Sequence, residues 1–357
     1  MNGGLTKNPE SARPSAEALA VFFRSLAVLF ESSVHVSRAL ELLGRQSDDR
    51  RMAAVAADLA ARIHSGVSMS QAMALHPMTF TGIQLRLMQI GERTGSVDGI
   101  LARLAGYEET RRRTTMRVKS ALTYPAFLFV MATTMLILVP PFLFEGIFRM
   151  IANSGIEPPL ITQIVVGISN FIRGPIFWVL LGVGMAVLVI FGPRLVRQPG
   201  VEMWLCTTAL RIPALGRSLR MLAVSRFARA MELQLEVGET PLRSLELAAQ
   251  ASGNPVLTDR IERAVDGLRD GLTLTQALDR TEFFPRPFIH MLTASEESAR
   301  TVSMMRRMAE VYESEVEAAL DTFTALLEPL VMLVMGVIVG VVVVATMLPM
   351  MHLLQNL

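Results

Sequence analysis

The chain has 357 residues, of which 51% are hydrophobic, 18% are charged and 6% are aromatic. This charge content is low for a soluble domain and indicates a membrane protein. The formal net charge of +2 gives no reason to expect a nucleic-acid partner. The single cysteine, Cys206, excludes an internal disulfide and fits a mostly cytoplasmic chain.

The chain begins with a polar, proline-containing segment, residues 1–14, which is predicted to be a disordered leader. It has neither the apolar core nor the cleavage site of a signal peptide. Residues 15–119 follow as a predicted helical bundle. Leu26, Leu29 and Phe30 recur there at three- and four-residue intervals, the period of an amphipathic helix.

Three uncharged stretches predict transmembrane helices at residues 120–144, 174–193 and 329–351. About 20 apolar residues are enough to cross a bilayer as a helix, and each stretch reaches that length. Residues 145–173 then form a connector between the first two spans. Residues 352–357 form a short tail after the third.

Residues 194–224 are predicted to be a helical bridge, and residues 225–328 a second helical bundle. We call residues 15–119 repeat 1 and residues 225–328 repeat 2, because the second bundle repeats the first. Gly66 corresponds to Gly271 at an offset of 205 residues. The offset stays within one residue over roughly a hundred positions, which indicates a duplicated domain.

Charge predicts the orientation of the chain in the membrane. Residues 1–119 carry 16 Lys and Arg residues, and residues 194–328 carry another 16, whereas the tail after Met350 carries none. Positively charged segments are retained on the cytoplasmic side. Both repeats and the N-terminus are therefore predicted to be cytoplasmic, with the connector and the C-terminus in the periplasm.

No pattern of catalytic or ligand-binding residues stands out in the sequence. The histidines share no metal-ligand spacing with one another or with Cys206, and no phosphate-binding glycine loop or activated nucleophile is recognisable. The spans lack the ionisable residues of a transport path. We therefore predict a protein that is not an enzyme and that has no cofactor and no metal. The histidines are His35, His64, His76, His290 and His352.

Two acidic residues, Glu92 and Glu296, occupy matching positions at predicted helix junctions. One interpretation is helix capping, because acidic side chains stabilise the first turn of a helix. The other is contact with a partner or a second subunit. The sequence does not decide between the two.

A proline stands where each repeat meets the following span, in the pairs Tyr124-Pro125 and Glu328-Pro329. Proline is tolerated in the first turn of a helix and bends a helix that continues past it. These pairs are predicted to set the angle between bundle and membrane, with force transmission as a consequence.

The last span contains Gly336 and Gly340, a small-xxx-small pattern. Such a pattern lets two helices approach closely in lipid, although apolar spans also contain it by chance. We interpret the two glycines as a candidate packing surface.

The segments just before the first and third spans have opposite charge. Arg111, Arg112 and Arg113 precede the first span, together with Arg117 and Lys119, whereas the matching region of repeat 2 carries Glu313, Glu315, Glu317 and Asp321. One hypothesis is that these helices pair at the membrane, within one chain or across a homo-oligomer. The alternative is that the arginines serve only the positive-inside signal and the acids form a solvated face.

Several short strings of the two repeats occur in the order and spacing of a known family. In repeat 1 and the first span they are Gly91-Glu92-Arg93-Thr94-Gly95, Leu104-Ala105-Gly106-Tyr107-Glu108 and Ala121-Leu122-Thr123-Tyr124-Pro125. In the second copy they are Ser295-Glu296-Glu297-Ser298-Ala299, Tyr312-Glu313 and Leu326-Leu327-Glu328-Pro329. On these strings the chain resembles the type II secretion F protein family, which includes the inner-membrane platform proteins of type IV pilus machines.

The resemblance implies an all-α polytopic membrane protein with two cytoplasmic helical bundles and three transmembrane helices. It implies a non-enzymatic scaffold in the bacterial inner membrane that couples a hexameric assembly ATPase to insertion or extraction of pilin or pseudopilin subunits. Other inner-membrane assembly proteins, the lipid bilayer and further copies of the chain are its expected partners. The alternatives are a membrane permease or channel component and, third, a passive signalling scaffold.

Overall fold

The structure is a computed structural model that describes residues 14–154, 167, 171, 174–177, 179, 182–184 and 198–355. The long elements in these residues are all α-helices. They are α1 (Ala16–Glu31), α2 (Val36–Gln46), α3 (Arg50–His64), α4 (Met69–Ala74), α5 (Gly82–Thr94), α6 (Val97–Ser154), α7 (Pro199–Arg211), α8 (Pro213–Glu236), α9 (Pro241–Ala251), α10 (Pro255–Arg269), α11 (Leu274–Asp279), α12 (Arg286–Glu297) and α13 (Thr301–Gln355).

The helices repeat in order and in length. Helices α9, α10 and α11 follow α2, α3 and α4 at the offset that separates Gly271 from Gly66, whereas α12 and α13 follow α5 and α6 at an offset shorter by one. The change falls in one loop, which spans residues 75–81 in repeat 1 and residues 280–285 in repeat 2. A single deletion in that loop accounts for the shift, and the predicted duplication is confirmed.

Both repeats use the same turn to start their shortest helix. Gly66 and Gly271 have φ angles of 90° and 93°, a left-handed conformation that glycine adopts without steric cost. Two residues later, Ser68 and Thr273 each form a capping box with a glutamine three positions further on. The turn therefore fixes the start of α4 and of α11 in the same way.

Aromatic side chains fill the core of each repeat. Phe23 and Phe80 lie 6.1 Å apart between ring centroids in repeat 1. In repeat 2 the Phe227 ring lies 5.0 Å from that of Phe284, which stacks on Phe288 at 4.8 Å. Removing a buried phenylalanine side chain typically costs about 3–5 kcal/mol of stability, so these clusters are major contributors to the fold.

The chain divides into two compact units. The first comprises Met1–Arg117 and Leu205–Glu317, and the second comprises Val118–Trp204 and Ala318–Leu357. In the first unit, α5 of repeat 1 packs against α8 and α9 of repeat 2. The sequence predicts two bundles, and the structure packs them directly against each other.

Among the described residues, one helical stretch, Thr301–Val341, is long and apolar enough to cross a membrane, and no residue of its most apolar window is buried. This helix carries the start of the third predicted span, residues 329–351. Residues 120–144 belong to α6, which continues to Ser154. The first two spans stay predictions, as does the topology.

Several predicted segments fall mainly outside the described residues. These are the leader, the periplasmic connector and the second span, residues 174–193. The predicted bridge is described from residue 198 onward. It contains α7 and the first part of α8, which continues into repeat 2 without a break.

Candidate functional site

The two matching glutamates hold equivalent helices in the two repeats. The Glu92 carboxylate accepts hydrogen bonds from the Ser70 backbone N–H at 2.9 Å and from the Ser70 hydroxyl at 2.5 Å. The Glu296 carboxylate accepts hydrogen bonds from the backbone N–H groups of Leu274 at 2.8 Å and of Thr275 at 3.1 Å, and from the Thr275 hydroxyl. Each glutamate thus links the end of α5 or α12 to the start of α4 or α11.

This geometry favours the helix-capping interpretation of the glutamates, with one difference from the sequence argument. Each glutamate lies near the C-terminal end of its own helix and caps the N-terminus of a neighbouring one. The first backbone N–H groups of a helix lack intrahelical partners, and the helix dipole favours a negative charge beside them. The carboxylates therefore hold the short helices in place.

An ion pair is also duplicated. In each repeat it joins the first helix to the last helix. Arg24 of α1 lies 2.6 Å from the Glu109 carboxylate of α6, and Arg229 of α8 lies 3.1 Å from the Glu313 carboxylate of α13. The arginines occupy matching positions of the two repeats, and so do the glutamates, so the pairs are equivalent. The sequence shows that these residues occupy matching positions, but it does not show that the arginine and the glutamate of each repeat bind each other.

One buried pair differs between the repeats. The Gln84 side-chain amide donates a 2.6 Å hydrogen bond to Glu108 in repeat 1, and both residues are almost completely buried. The equivalent residues of repeat 2 are Phe288 and Tyr312, whose ring centroids lie 5.9 Å apart. Burial raises the pKa of Glu108 and outweighs the opposite effect of nearby Arg111.

The contact between the repeats is held by ion pairs that the sequence did not reveal. Arg86 of α5 forms a two-pronged pair with Glu239, in which the Nη2–Oε1 distance is 3.2 Å. Arg103 of α6 lies 2.6 Å from the Glu236 carboxylate of α8. The Glu239 side chain is only 5% exposed, and the hydrogen bond from Arg86 lowers its pKa.

A glycine allows the two repeats to approach closely beside these pairs. A Cβ atom added at Gly82, the first residue of α5, would lie 3.0 Å from the Leu247 Cδ2 atom of α9. Leu247 is buried. A larger residue at position 82 would therefore require the Leu247 side chain to move.

A positively charged cleft lies where α6 of repeat 1 meets α8 of repeat 2. Tyr107 and Arg111 of α6 line it together with Arg226 of α8. Burial raises the pKa of Tyr107 to about 12. Burial lowers the pKa of Arg226, and the like charge of Arg111 adds to the effect. The cleft shows that α6 and α8 face each other along this part of their length.

The three arginines before the first span have partners within repeat 1. Arg111 lies 3.6 Å from the carboxylate of Glu108. The Glu109 carboxylate accepts hydrogen bonds from Arg112 and from Arg113, each at 3.3 Å. Arg112 also donates a hydrogen bond to the Glu17 carboxylate of α1, at 3.1 Å.

One ion pair joins the two helices of the pairing hypothesis. Arg117 of α6 forms an ion pair with Glu317 of α13, while Glu315 is exposed. The structure thus brings Glu317 to Arg117 rather than to Arg111 or Arg113. Arg111 and Arg113 lie instead beside carboxylates of their own helix, Glu108 and Glu109.

The proline positions lie within continuous helices. Helix α6 runs through Tyr124 and Pro125, and helix α13 runs through Glu328 and Pro329. The Tyr124 side chain is exposed. A role of these prolines in setting an angle stays a prediction.

The two glycines of the last span are exposed in α13. No atom within 4 Å would contact a Cβ added at Gly336 or Gly340 among the described residues. A packing role for these two glycines stays a prediction.

Each repeat has a groove beside its capping glutamate. In repeat 1 the groove has a volume of about 280 Å³ and is lined by apolar side chains, including Met69, next to Glu92. In repeat 2 the groove has a volume of about 530 Å³ and includes Leu274 and Glu296. In the part of the chain that the structure describes, no group of three or more His, Cys, Asp and Glu side chains is arranged to hold a metal ion.

The capping glutamates give a prediction about stability. We expect Glu92→Ala or Glu296→Ala to lower the free energy of unfolding by about 1.5–3 kcal/mol, because charged hydrogen bonds to a helix start are lost. Thermal or denaturant unfolding of the full chain in detergent measures this. Glu41→Ala, which removes an exposed carboxylate of α2, is the control and should have little effect. Equal effects at positions 92, 296 and 41 would contradict the capping role.

The buried Glu108 gives a prediction about pH. Its pKa in the folded state is raised above the ordinary value of 4.5, so its contribution to stability is present below that value and is lost as pH rises through the folded pKa. Glu108→Gln should therefore become more stable relative to the original chain as pH rises towards neutral. Unfolding curves at several pH values measure this.

Glu109 provides the opposite control in the same experiment. Burial alone would raise the pKa of Glu109, but hydrogen bonds from Arg113 and Arg112 lower it overall. The contribution of Glu109 to the stability of the fold is therefore present above the ordinary pKa of a glutamate and is lost as pH falls through the lowered pKa. Glu109→Gln should become less stable relative to the original chain as pH rises. The same pH trend for both variants would show that the environment of Glu108 is misassigned.

Comparison with known proteins matches both repeats to one family. The family model "Type II secretion system (T2SS), protein F" matches residues 22–143 and again residues 227–349. The starts of the two matches, Phe22 and Phe227, are equivalent positions of the two repeats. Each match covers a repeat together with the apolar segment that follows it.

Relatives from several bacteria agree with this match over nearly the whole chain. The type IV pilus assembly protein TapC of Aeromonas hydrophila is 31% identical over 93% of this chain and 80% of its own length. The type IV pilus assembly protein PilC of Thermus thermophilus is 30% identical over 96% and 84%. The type II secretion system protein F of Pseudomonas aeruginosa is 27% identical over 96% and 84%. The chain belongs to the type II secretion system protein F family.

Proposed function

We propose that the chain is the inner-membrane platform protein of a type II secretion or type IV pilus assembly machine. In this role it couples a cytoplasmic assembly ATPase to the insertion or extraction of pilin-like subunits. The observation that carries the proposal is the family match in both repeats, together with relatives named as assembly or secretion proteins. A protein of this kind acts through binding and movement and needs no catalytic site.

The packing of the repeats supports a mechanical role. Arg86 and Arg103 join repeat 1 to Glu239 and Glu236 of repeat 2, so the two repeats can move as one body. Rigid helices and packed side chains carry displacement between distant sites. Helices α6 and α13 each continue from a repeat into an apolar segment, so a movement of the repeats would be passed along them.

The proposed partners are a hexameric ATPase, pilin or pseudopilin subunits, other inner-membrane assembly proteins and further copies of the chain. The proposed location is the bacterial inner membrane, with the N-terminus in the cytoplasm and the C-terminus in the periplasm. The positive charge of repeat 1 and the exposed apolar helix at the C-terminus support this arrangement. A permease or channel component has less support, because the relatives are named for assembly and secretion.

Co-purification tests the proposed coupling. The tagged full chain, extracted in mild detergent after expression with the assembly ATPase of its own organism, should retain that ATPase. An unrelated inner-membrane protein purified in the same way is the control. Absence of the ATPase from preparations in which the chain is folded would count against the platform role. Solute flux through vesicles that contain the chain alone would favour the permease alternative.

Reporter fusions test the proposed topology. A reporter that is active only in the periplasm should give signal when it is fused after Leu357, because three spans place that end outside. The same reporter should give no signal after Lys119 or near Glu315, which belong to the cytoplasmic repeats. Signal near Glu315 would overturn the three-span arrangement.

A further inference from the structure

The two repeats meet through different faces. Apart from the Arg117–Glu317 pair between α6 and α13, repeat 1 contributes α5 and α6, whereas repeat 2 contributes α8 and α9. Helices α8 and α9 are the equivalents of α1 and α2. The contact is therefore heterologous, or head to tail: each repeat uses a different one of its two faces. The other face of each repeat then remains unused. The unused faces are on α1 of repeat 1 and on α13 of repeat 2.

The face of α8 that meets repeat 1 carries Arg226, Leu233 and Glu236. These residues are seven and then three positions apart, which places them on one side of a helix. Arg226 lines the cleft with Tyr107, and Glu236 binds Arg103. Leu233, between them, is only 7% exposed.

The same face of α1 is uncovered. Val21, Val28 and Glu31 are the residues 205 positions before Arg226, Leu233 and Glu236. Val21 is 51% exposed and Val28 is 55% exposed. Glu31 is also exposed, and no ion pair joins it to another described residue. A surface that is covered in repeat 2 is thus open in repeat 1, and it carries two apolar residues beside one acid.

The complementary face of α13 is partly exposed. Arg307 and Val311 are the residues 204 positions after Arg103 and Tyr107 of α6. The Arg307 side chain is 70% exposed, and its ion pair is a 3.5 Å contact with Glu310 of the same helix. Val311 is half-buried. This face therefore presents one cation beside an apolar residue, which matches the uncovered face of α1.

We propose that these two faces bind each other between neighbouring copies of the chain. Helix α1 of one copy docks on α13 of the next, as α8 docks on α6 within a copy. Glu31 pairs with Arg307 of the neighbour in the way that Glu236 pairs with Arg103. Val21 packs against Val311 in the place of the Arg226–Tyr107 contact.

The proposed contact between copies involves fewer helices than the contact between the two repeats of one chain. Arg286 occupies the position of Gly82, so α12 cannot approach α2 as closely as α5 approaches α9. His290 and Val34 replace Arg86 and Glu239, so that ion pair is lost too. The contact is thus confined to α1 and α13. This fits copies that are concentrated in a membrane rather than a dimer that is stable in dilute solution.

The geometry has a consequence for assembly. Head-to-tail contacts have no two-fold axis, and they generate a closed ring or an open row of subunits. Each copy would contact two neighbours through different faces. The inference rests on the equivalent positions of the repeats and does not require the proposed function.

Site-specific cross-linking tests the proposal. Two differently tagged full-length chains, both carrying Cys206→Ser, are produced together in membranes, one with Val21→Cys and the other with Val311→Cys. A short bis-maleimide should join the two tags. Neither variant should form a cross-linked product when it is produced alone. Homodimers of either single variant would show a two-fold contact and overturn the proposal, as would the absence of a mixed product.

Charge reversal tests the ion pair independently of cysteine chemistry. Arg307→Glu should reduce the cross-linked fraction by up to about fivefold, the range expected for an exposed ion pair. Adding Glu31→Arg to both chains should restore the fraction. Arg300→Glu, an equal charge change just before α13, is the control and should leave it unchanged. Failure of the double reversal to restore cross-linking would contradict the pairing. The measurement reports contact between copies and does not depend on the proposed role in pilus assembly or secretion.

Discussion

Among the described residues, the ion pair between Arg86 and Glu239 is the most buried one that joins the two repeats, and its partners are 153 positions apart. Glu239 is nearly buried, so removing the arginine would leave a carboxylate without its counter-charge in a poorly hydrated position. The pair fixes α5 against the start of α9. The close approach at Gly82 lies between the same two helices, and the charged cleft beside Tyr107 lies between α6 and α8 of the same two repeats.

The capping contacts within the repeats are duplicated, whereas the ion pair between Arg86 and Glu239 that joins the repeats is not. Glu92 and Glu296 cap equivalent helices, because each repeat must hold its own short helix in place. The Arg86–Glu239 pair has no such constraint, since it is formed once within each chain. Position 86 is arginine in repeat 1, and its equivalent in repeat 2 is His290. Duplication thus preserved the bundles, while the faces diverged.

The sequence was sufficient for the parts of the fold that are local or repeated. The nearly constant offset between matching positions predicts the duplication, and the apolar periodicity predicts the helices. The partners of charged residues were not predictable, because periodicity gives the face of a helix and not what lies opposite. The pairing hypothesis places Arg112 and Arg113 against the second repeat, yet they bind Glu109, an acid on the same helix. The role of Glu239 was not predictable from the repeat, because its equivalent in repeat 1 is Val34.

A double-mutant cycle on Arg86 and Glu239 tests most directly whether the repeats form one body. Unfolding of the full chain in detergent is measured for Arg86→Ala, for Glu239→Ala and for both together. We expect a coupling energy above about 1 kcal/mol, because residues in one buried network are not additive. The exposed pair Arg38–Glu41 is the reference. A coupling energy no larger than that of the reference pair would contradict rigid docking of the repeats.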